Sequence, residues 1–402
     1  MQEFCEYLQG SVTPAPKNIS QVFFGALGAV GMTVAARKSA ACLGGVQPQE
    51  LLSPYLESAQ AAQDLLGLPS AARVCVVLVD GLGALQLQAR RGHVPNLRTL
   101  NLDAQITTVV PATTAAGISA LGTGMLPGEN AMAGYSLRSA RTGATFSLIK
   151  WDGSGYSGDD WQTQPTLFER LTPADLAQTA LVQPRSYIGS GLSLAALRGA
   201  DAFAAEQLPQ RFACAVDLLR QGKKAVYVYW GELDRVGHKH GWESEAWIDE
   251  LEKFDAEFGI FLRQLPSDTL VILTADHGMV DATEKIDIAH NIRLRTDVEQ
   301  VAGEERAFQI YTSQPEEVAQ SWRAEIDDLA WVFTKTELIA SGLLGPVTQF
   351  AAQAIGDVVA FSKTGVGFVD SRVHSSSAIS LVGVHGSLTP QEMYIPLITE
   401  VC

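Results

Sequence analysis

Short apolar runs recur along the chain, and polar side chains able to bind a metal ion follow them. Stretches of helical character separate these runs, a pattern typical of βαβ units and a mainly parallel sheet. Because the carboxyl ends of parallel strands meet at one edge of a sheet, we expect the polar side chains to converge there. The five runs lie at residues 73–80, 105–111, 225–231, 270–276 and 377–383.

The side chains at the ends of these runs form the candidate site. Three aspartates and three histidines can bind two divalent ions, with zinc favoured and manganese as the alternative. Two ions about 3.5–4 Å apart stabilise the attacking and leaving oxygens of a displacement at phosphorus. The set therefore indicates hydrolysis of a small phosphate ester. Its seven members are Asp80, Thr114, Asp234, His238, Asp276, His277 and His385.

In order and spacing, these motifs resemble the alkaline phosphatase superfamily and, within it, the type I phosphodiesterase/nucleotide pyrophosphatase family. The resemblance runs from about residue 74 to 397. The matching segments are VVLVDGLG around Asp80, the loop from Pro111 to Thr114 with the helix after it, DRVGHKHG at 234–241, DHGM at 276–279 and HGSLTPQEMYIPL at 385–397.

The resemblance implies an alkaline-phosphatase-like three-layer α/β sandwich, with a mainly parallel central sheet and a small α+β insertion. It also implies that Thr114 is the nucleophile and forms a phosphothreonyl intermediate that water then hydrolyses. By the same resemblance, Asp80, Asp276 and His277 hold the ion beside Thr114, and Asp234, His238 and His385 hold the other. Thr113 is adjacent and chemically equivalent, although the offset from Pro111 favours Thr114.

One part of the family pattern is missing. Nucleotide pyrophosphatases of this family place an Asn after the nucleophile helix to hold a phosphate oxygen, and Tyr135 occupies that position here, with Asn130 nearby. We predict that Asn130, Tyr135 and His240 contact the substrate, without nucleotide specificity. A phosphonate hydrolase, a phosphomonoesterase, and a phosphoryl transferase or isomerase are the alternatives. An inactive binding protein is disfavoured because no metal ligand is missing.

We predict three regions: an N-terminal extension at 1–50, a catalytic domain at 51–402, and a small insertion or cap within it at 285–375. The spacing of apolar residues predicts a helix over 245–264. Loop-rich residues 138–164, with Trp151, Tyr156 and Trp161, are expected to form a wall of the site. The apolar segment 22–35 is too short for a stable membrane span. We expect a helix there, with an export segment as the alternative.

Composition narrows the partners and the compartment. Hydrophobic residues make up 47% of the 402 residues and charged residues 18%, which excludes a disordered chain. A net charge of −15 disfavours binding to a nucleic acid polymer. The five cysteines have no CxxC spacing, so we expect free thiols, none of them a metal ligand, in a cytoplasmic protein. The oligomeric state is left open.

Overall fold

A six-stranded sheet lies at the centre of the computed structural model, which describes residues 8–36, 42–43, 57–282 and 284–402. Its strands follow the order β6-β5-β1-β4-β2-β3, and every neighbouring pair is parallel except β6 with β5. The predicted α/β fold with a mainly parallel sheet is therefore confirmed. The strands are β1 (Arg73–Val79), β2 (Thr179–Gln183), β3 (Ala202–Ala204), β4 (Ala225–Trp230), β5 (Thr269–Thr274) and β6 (Ile398–Val401).

The three middle strands owe their position to continuous apolar sequence. Strands β4 and β5 are buried along their whole length and β1 from its second residue, as expected for parallel strands covered on both faces. The predicted helix at 245–264 is confirmed as Glu245–Gln264, where the Ser244 hydroxyl accepts a hydrogen bond from Trp247 N. Other helices around this sheet are Ala59–Leu66, Ala84–Ala89, Thr114–Thr123, Leu208–Arg220 and Glu232–His240.

The apolar N-terminal segment contains a helix, Val22–Ala29, in which every residue is buried. It packs against Ala59–Leu66 so closely that a Cβ on Gly28 would lie 2.4 Å from the Ala59 carbonyl oxygen. This part of the predicted extension therefore belongs to the main hydrophobic core. Among the described residues, none of the helices combines the length and apolar character needed to cross a membrane.

Within the predicted insertion, a separate four-stranded antiparallel sheet encloses its own core. Helices accompany this sheet, so the segment has the expected α+β character, while its boundaries stay a prediction. The strands, in spatial order, are Gln300–Glu304, Ala307–Tyr311, Val358–Ser362 and Ala330–Thr334, and the helices are Ile292–Arg295, Pro315–Ile326, Lys335–Ala340 and Gln349–Ala354.

Short elements complete the described structure outside these two sheets. The short helices are Pro127–Asn130, Gly158–Trp161, Pro173–Leu176, Gly191–Ala196, Ser376–Ile379 and Pro390–Met393. The two-stranded pairs are Cys42–Leu43 with Val347–Thr348, Gln105–Thr107 with Tyr394–Pro396, Ser136–Arg138 with Thr145–Ser147, Val280–Asp281 with Gly383–Val384, and Glu284–Asp287 with Val366–Val369.

Two of the five predicted strands of the central sheet are wrong. The run at 105–111 yields a three-residue strand that pairs with Tyr394–Pro396, outside the central sheet. The run at 377–383 yields the helix Ser376–Ile379 and then a two-residue strand, because the Ser375 hydroxyl accepts a hydrogen bond from Ala378 N and so caps a helix. The candidate residues therefore do not all follow strands of one sheet.

Candidate active site

Three neighbouring strands carry most of the candidate ligands. Asp80 directly follows β1, and Asp276 and His277 follow β5 after a single alanine. After β4 the chain enters the helix Glu232–His240, where Asp234 and His238 lie four residues apart and so share one helix face. Parallel pairing of β1 with β4 and β5 brings these five side chains to one edge of the sheet.

Two loops complete the set. Thr114 is the first residue of the helix Thr114–Thr123, and its hydroxyl oxygen lies 3.1 Å from His277 Nε2. His385 follows the short strand Gly383–Val384. Two contacts join these loops: Ala112 N donates to the Gly386 carbonyl at 3.1 Å, and His385 Nδ1 lies 2.9 Å from the Ala112 carbonyl oxygen. The loops therefore position Thr114 and His385 together.

All three candidate histidines are oriented through Nδ1. A backbone carbonyl oxygen lies 2.7 Å from Nδ1 of His238, 2.9 Å from that of His277 and 2.9 Å from that of His385. A carbonyl oxygen only accepts, so each Nδ1 carries the proton. In the neutral ring, Nε2 then presents its lone pair, which is how histidine binds metal ions in proteins.

These Nε2 atoms face carboxylate oxygens. His238 Nε2 lies 3.2 Å from Asp234 Oδ2, and His277 Nε2 lies 3.3 Å from Asp80 Oδ1 and 3.6 Å from Asp276 Oδ2. Buried oxygens of all three aspartates lack a hydrogen-bond partner among the described residues. Such convergent acceptors require a proton or a cation between them.

The donor set fits divalent metal ions. Ligand atoms lie within 4.8 Å of one another in two groups, Asp80 with Asp276 and His277, and Asp234 with His277 and His385. The first group matches the set predicted beside Thr114. The second contains two of the three residues predicted for the other ion, while the third, His238, contacts Asp234. Which residues hold each ion stays a prediction.

The buried carboxylates of the candidate site repel one another. Burial raises the pKa of Asp80 well above its usual value, and the negative charges of Asp276 and Asp234 raise it further. Burial also raises the pKa of Asp276 and lowers that of His385, whose neighbour His277 adds to the effect. Bound cations would relieve this repulsion among the acids and stabilise the neutral imidazoles.

His238 and Asp234 form an ion pair in this cluster. Burial opposes the charge on both side chains, but the Asp234 carboxylate raises the pKa of His238 to about 9. Reciprocally, His238 lowers the pKa of Asp234 below its usual value despite burial. A cation that binds here must therefore displace a proton.

Tyr229 is a contributor that the sequence analysis missed. Its hydroxyl donates to Asp80 Oδ2. Burial raises the pKa of Tyr229 well above its usual value and the negative charge of Asp80 adds to this, so the hydroxyl stays a donor. Strand alternation was the available signal, because Tyr227 and Tyr229 lie two residues apart and share a sheet face at the end of β4.

A cleft of about 850 Å³ opens over the candidate ligands, and its lining includes Thr114, Tyr135 and His240. Asn130 is 1% exposed and outside the described lining. Its amide donates to the Met125 carbonyl at 3.2 Å and accepts from Met132 N at 2.9 Å, contacts that hold its own loop. The structure thus brings Tyr135 and His240 to the cleft but not Asn130.

The predicted aromatic wall is a packed cluster. The Trp161 ring lies 5.2 Å from that of Tyr156 and 6.4 Å from that of Trp151, and Trp161 Nε1 donates to the Ala131 carbonyl at 3.0 Å. Trp161 is 1% exposed, so its ring supports the wall of the cleft and cannot stack on a ligand.

Comparisons with known structures support the same fold. Murine ectonucleotide pyrophosphatase/phosphodiesterase 5 superposes with a TM-score of 0.64 at 16% identity, over 82% of this chain and 88% of that chain. Phosphonoacetate hydrolase from Sinorhizobium meliloti, solved with phosphonoacetate, gives 0.62 at 18% identity, over 81% and 89%. A sequence search of curated proteins gave no match.

Family membership follows from the sequence itself. Residues 74–388 match the family described as type I phosphodiesterase / nucleotide pyrophosphatase, and this span contains every candidate ligand. It covers most of the chain, from β1 to the loop beyond His385. The chain therefore belongs to the type I phosphodiesterase/nucleotide pyrophosphatase family of the alkaline phosphatase superfamily, and it is a hydrolase of that type.

Proposed function

We propose that the chain hydrolyses small phosphodiesters, with Thr114 as the nucleophile and two divalent ions, zinc or manganese, as cofactors. The observation that carries the proposal is the placement of the Thr114 hydroxyl 3.1 Å from His277 Nε2. The same nitrogen lies 3.3 Å from Asp80 Oδ1 and 3.6 Å from Asp276 Oδ2, buried oxygens with no hydrogen-bond partner among the described residues. A hydroxyl placed against such a donor set is positioned to attack phosphorus.

Each group of ligands has its own task. Asp80, Asp276 and His277 would hold the ion beside Thr114, and Asp234, His238 and His385 would hold the other. When bound, the ions would stabilise negative charge on the attacking and leaving oxygens. The N-terminus of the helix Thr114–Thr123 presents backbone N–H groups that lack intrahelical acceptors and can donate to the oxygens of the phosphate.

Exposure supports Thr114 over its neighbour Thr113. Thr114 is partly exposed and lines the cleft, whereas Thr113, the residue before the helix, is 1% exposed and absent from the described lining of the cleft. A threonine-to-alanine variant of the murine phosphodiesterase, described as inactive, was solved in complex with AMP. That description agrees with a threonine nucleophile in this fold.

A second pocket next to Thr114 favours a diester. It has a volume of about 200 Å³, and its described lining contains apolar side chains, hydroxyls and an amide but no Asp, Glu, Lys or Arg. Tyr227 lines it, and the Tyr227 hydroxyl is buried and has no hydrogen-bond partner among the described residues. An uncharged organic group with a polar atom fits there, and a diester has such a group beyond its reacting bond.

Phosphonate hydrolysis is the second candidate. Tyr135 occupies the position where the resemblance places an Asn in nucleotide pyrophosphatases, so the contacts to the phosphate differ. The fold also superposes on phosphonoacetate hydrolase. Both observations are compatible with a substrate other than a nucleotide.

Steady-state assays of manganese- and zinc-loaded protein separate these functions. The substrates are bis(p-nitrophenyl) phosphate, p-nitrophenyl phosphate and phosphonoacetate. The proposal requires the highest kcat/KM on the diester, with activity abolished by a chelator and restored by either ion. A higher kcat/KM on the monoester or on phosphonoacetate would replace it with the corresponding alternative.

A further inference from the structure

A pocket of about 380 Å³ lies on the side of the cleft where His238 and His385 are found. Apolar side chains, among them Ala378 and Leu381, form part of its lining. Glu304 also lines it, and this residue is the last one of the strand Gln300–Glu304 in the α+β segment. Burying a carboxyl group beside apolar side chains costs free energy unless the group is hydrogen-bonded.

Only one oxygen of the Glu304 carboxyl group has a hydrogen-bond partner among the described residues. Oε2 accepts a hydrogen bond from Tyr135 N at 2.7 Å, while Oε1 is buried and has no partner among the described residues. Burial raises the pKa of Glu304 to about 8, although the Tyr135 N–H and the Thr113 hydroxyl act in the opposite direction. A group that donated a hydrogen bond to Oε1 would relieve the cost of this burial.

The charges around Glu304 leave room for such a donor. The neighbouring Glu305 is paired with Lys285, so its charge is already compensated. No lysine or arginine is among the described residues that line the pocket. Glu304 is therefore the carboxyl group of this lining without a cationic partner from the described part of the chain.

The direction of the reaction points to the occupant. In an in-line displacement the leaving oxygen departs opposite the attacking oxygen. With Thr114 on the side of Asp80, Asp276 and His277, the leaving group departs toward His238 and His385. Those two histidines line the pocket that also contains Glu304.

We propose that Glu304 determines specificity by accepting, through Oε1, a hydrogen bond from a hydroxyl or ammonium group on the leaving alcohol of the substrate. This inference rests on the proposed diesterase function and adds a recognition element to it. Leaving alcohols with a donor two carbons from the ester oxygen are favoured over apolar alcohols of the same size. The same carboxyl oxygen accepts the hydrogen bond from either donor, a hydroxyl or an ammonium group.

The test compares three phosphodiesters that share a methyl ester, a leaving group no better than the alcohols compared, and differ in the second alcohol: 2-hydroxyethyl, 2-aminoethyl and propyl. Release of each alcohol by the metal-loaded protein gives three values of kcat/KM. At pH 9, above the pKa of Glu304, we expect the better of the two donor-bearing alcohols to exceed propyl by about tenfold or more, the value of one hydrogen bond to a charged group. In Glu304→Gln this ratio falls at least about threefold.

A matched variant removes a carboxylate from the opposite end of the same strand pair. Glu299 lies just before the strand Gln300–Glu304, and its Oε1 accepts from Ser313 N at 2.9 Å. Glu299→Gln should keep the wild-type ratio, and thermal unfolding of both variants checks that each is folded. Glu304→Asp, which keeps the charge, should have a ratio closer to that of the wild type than Glu304→Gln has.

Failure of the inference can be told from failure of the proposed function. Equal kcat/KM for the three diesters, or an unchanged ratio in Glu304→Gln, overturns the role of Glu304 and leaves the diesterase intact. An equal loss on all three diesters in Glu304→Gln also overturns it, because that pattern marks a structural contact with Tyr135. No hydrolysis of any diester by a protein active on monoesters overturns both.

Discussion

Asp276→Asn should have opposite consequences for stability and for catalysis. In the wild type, Asp276 Oδ1 accepts from Gly81 N at 3.2 Å and from His277 N at 3.1 Å, and an asparagine oxygen can keep both contacts. Oδ2 has no hydrogen-bond partner among the described residues, and it lies 3.6 Å from His277 Nε2 in the ligand group that also contains Asp80. The substitution replaces this oxygen with an amide donor, so repulsion becomes a hydrogen bond.

The size of the effect follows from distance. Ligand oxygens of Asp80 and Asp276 lie within 4.8 Å of each other. At an effective dielectric constant of about 20, two unit charges at that distance repel by about 3 kcal/mol. The entropy of unfolding scales with chain length, so for 402 residues this corresponds to a rise in Tm of about 4 °C for Asp276→Asn without metal.

The rise depends on pH and on metal. Because burial raises the pKa of Asp80 and Asp276, their repulsion develops as pH increases above the unfolded values, so the rise in Tm should be present at pH 8 and fade toward pH 4. An ion at a thousandfold excess over its Kd stabilises the wild type by about 4 kcal/mol. Asp276→Asn loses this stabilisation at one of the two ion sites. Its higher Tm relative to the wild type therefore disappears when metal is added, and hydrolysis is lost.

Thermal unfolding by circular dichroism, with chelator and with manganese, measures both effects. Asp255→Asn is the matched control, because Asp255 is equally buried but accepts hydrogen bonds from Asn96 N, Asn96 Nδ2 and Leu97 N. That variant should lose stability in both conditions. If Asp276→Asn also lowers Tm in the presence of chelator, the unpartnered carboxylates are not a source of strain and the reasoning fails.

Three further predictions concern the nucleophile, the proton on His238 and the orientation of Asp80. Thr114→Ala should lower kcat on bis(p-nitrophenyl) phosphate by about three orders of magnitude or more, whereas Thr113→Ala should be mild; a reversed pattern would move the nucleophile by one residue. Since His238 has a pKa of about 9, its proton competes with the cation. The affinity for manganese, measured by calorimetry, should therefore rise by up to about tenfold for each pH unit between neutral pH and pH 9 as His238 loses its proton. An affinity that does not change with pH would contradict the ion pair. Tyr229→Phe removes the donor to Asp80 and should weaken manganese binding by about 10- to 100-fold in the same assay; unchanged affinity would show that Tyr229 does not orient its neighbour.

Sequence was most informative where an element is specified by its own residues. The runs that end at Asp80 and Asp276 are continuously apolar, so their strands, and the side chains at their ends, follow from local pattern. His385 and Thr114 were identified by motif although their predicted strands are wrong. Their loops are held by contacts such as that between His385 Nδ1 and the Ala112 carbonyl, which local pattern does not encode.

The sequence alone did not identify residues whose role depends on contacts between distant parts of the chain. Glu304 meets Tyr135 across 169 positions, through a strand pair belonging to a different sheet. Tyr229 is one of several buried aromatic residues in β4, and its hydrogen bond to Asp80 depends on how β1 and β4 pair. Asn130 was a candidate by proximity in sequence, but the sharp loop at 130–132 uses its amide.

The ion-to-chain ratio, measured by elemental analysis after loading with manganese or zinc and desalting, tests the two-ion site most directly. The six ligands predict two ions per chain in the wild type and in Thr114→Ala, because that variant keeps every Asp and His. Asp276→Ala should retain one ion. A wild-type ratio of one or zero, or a ratio of two in Asp276→Ala, would contradict the account.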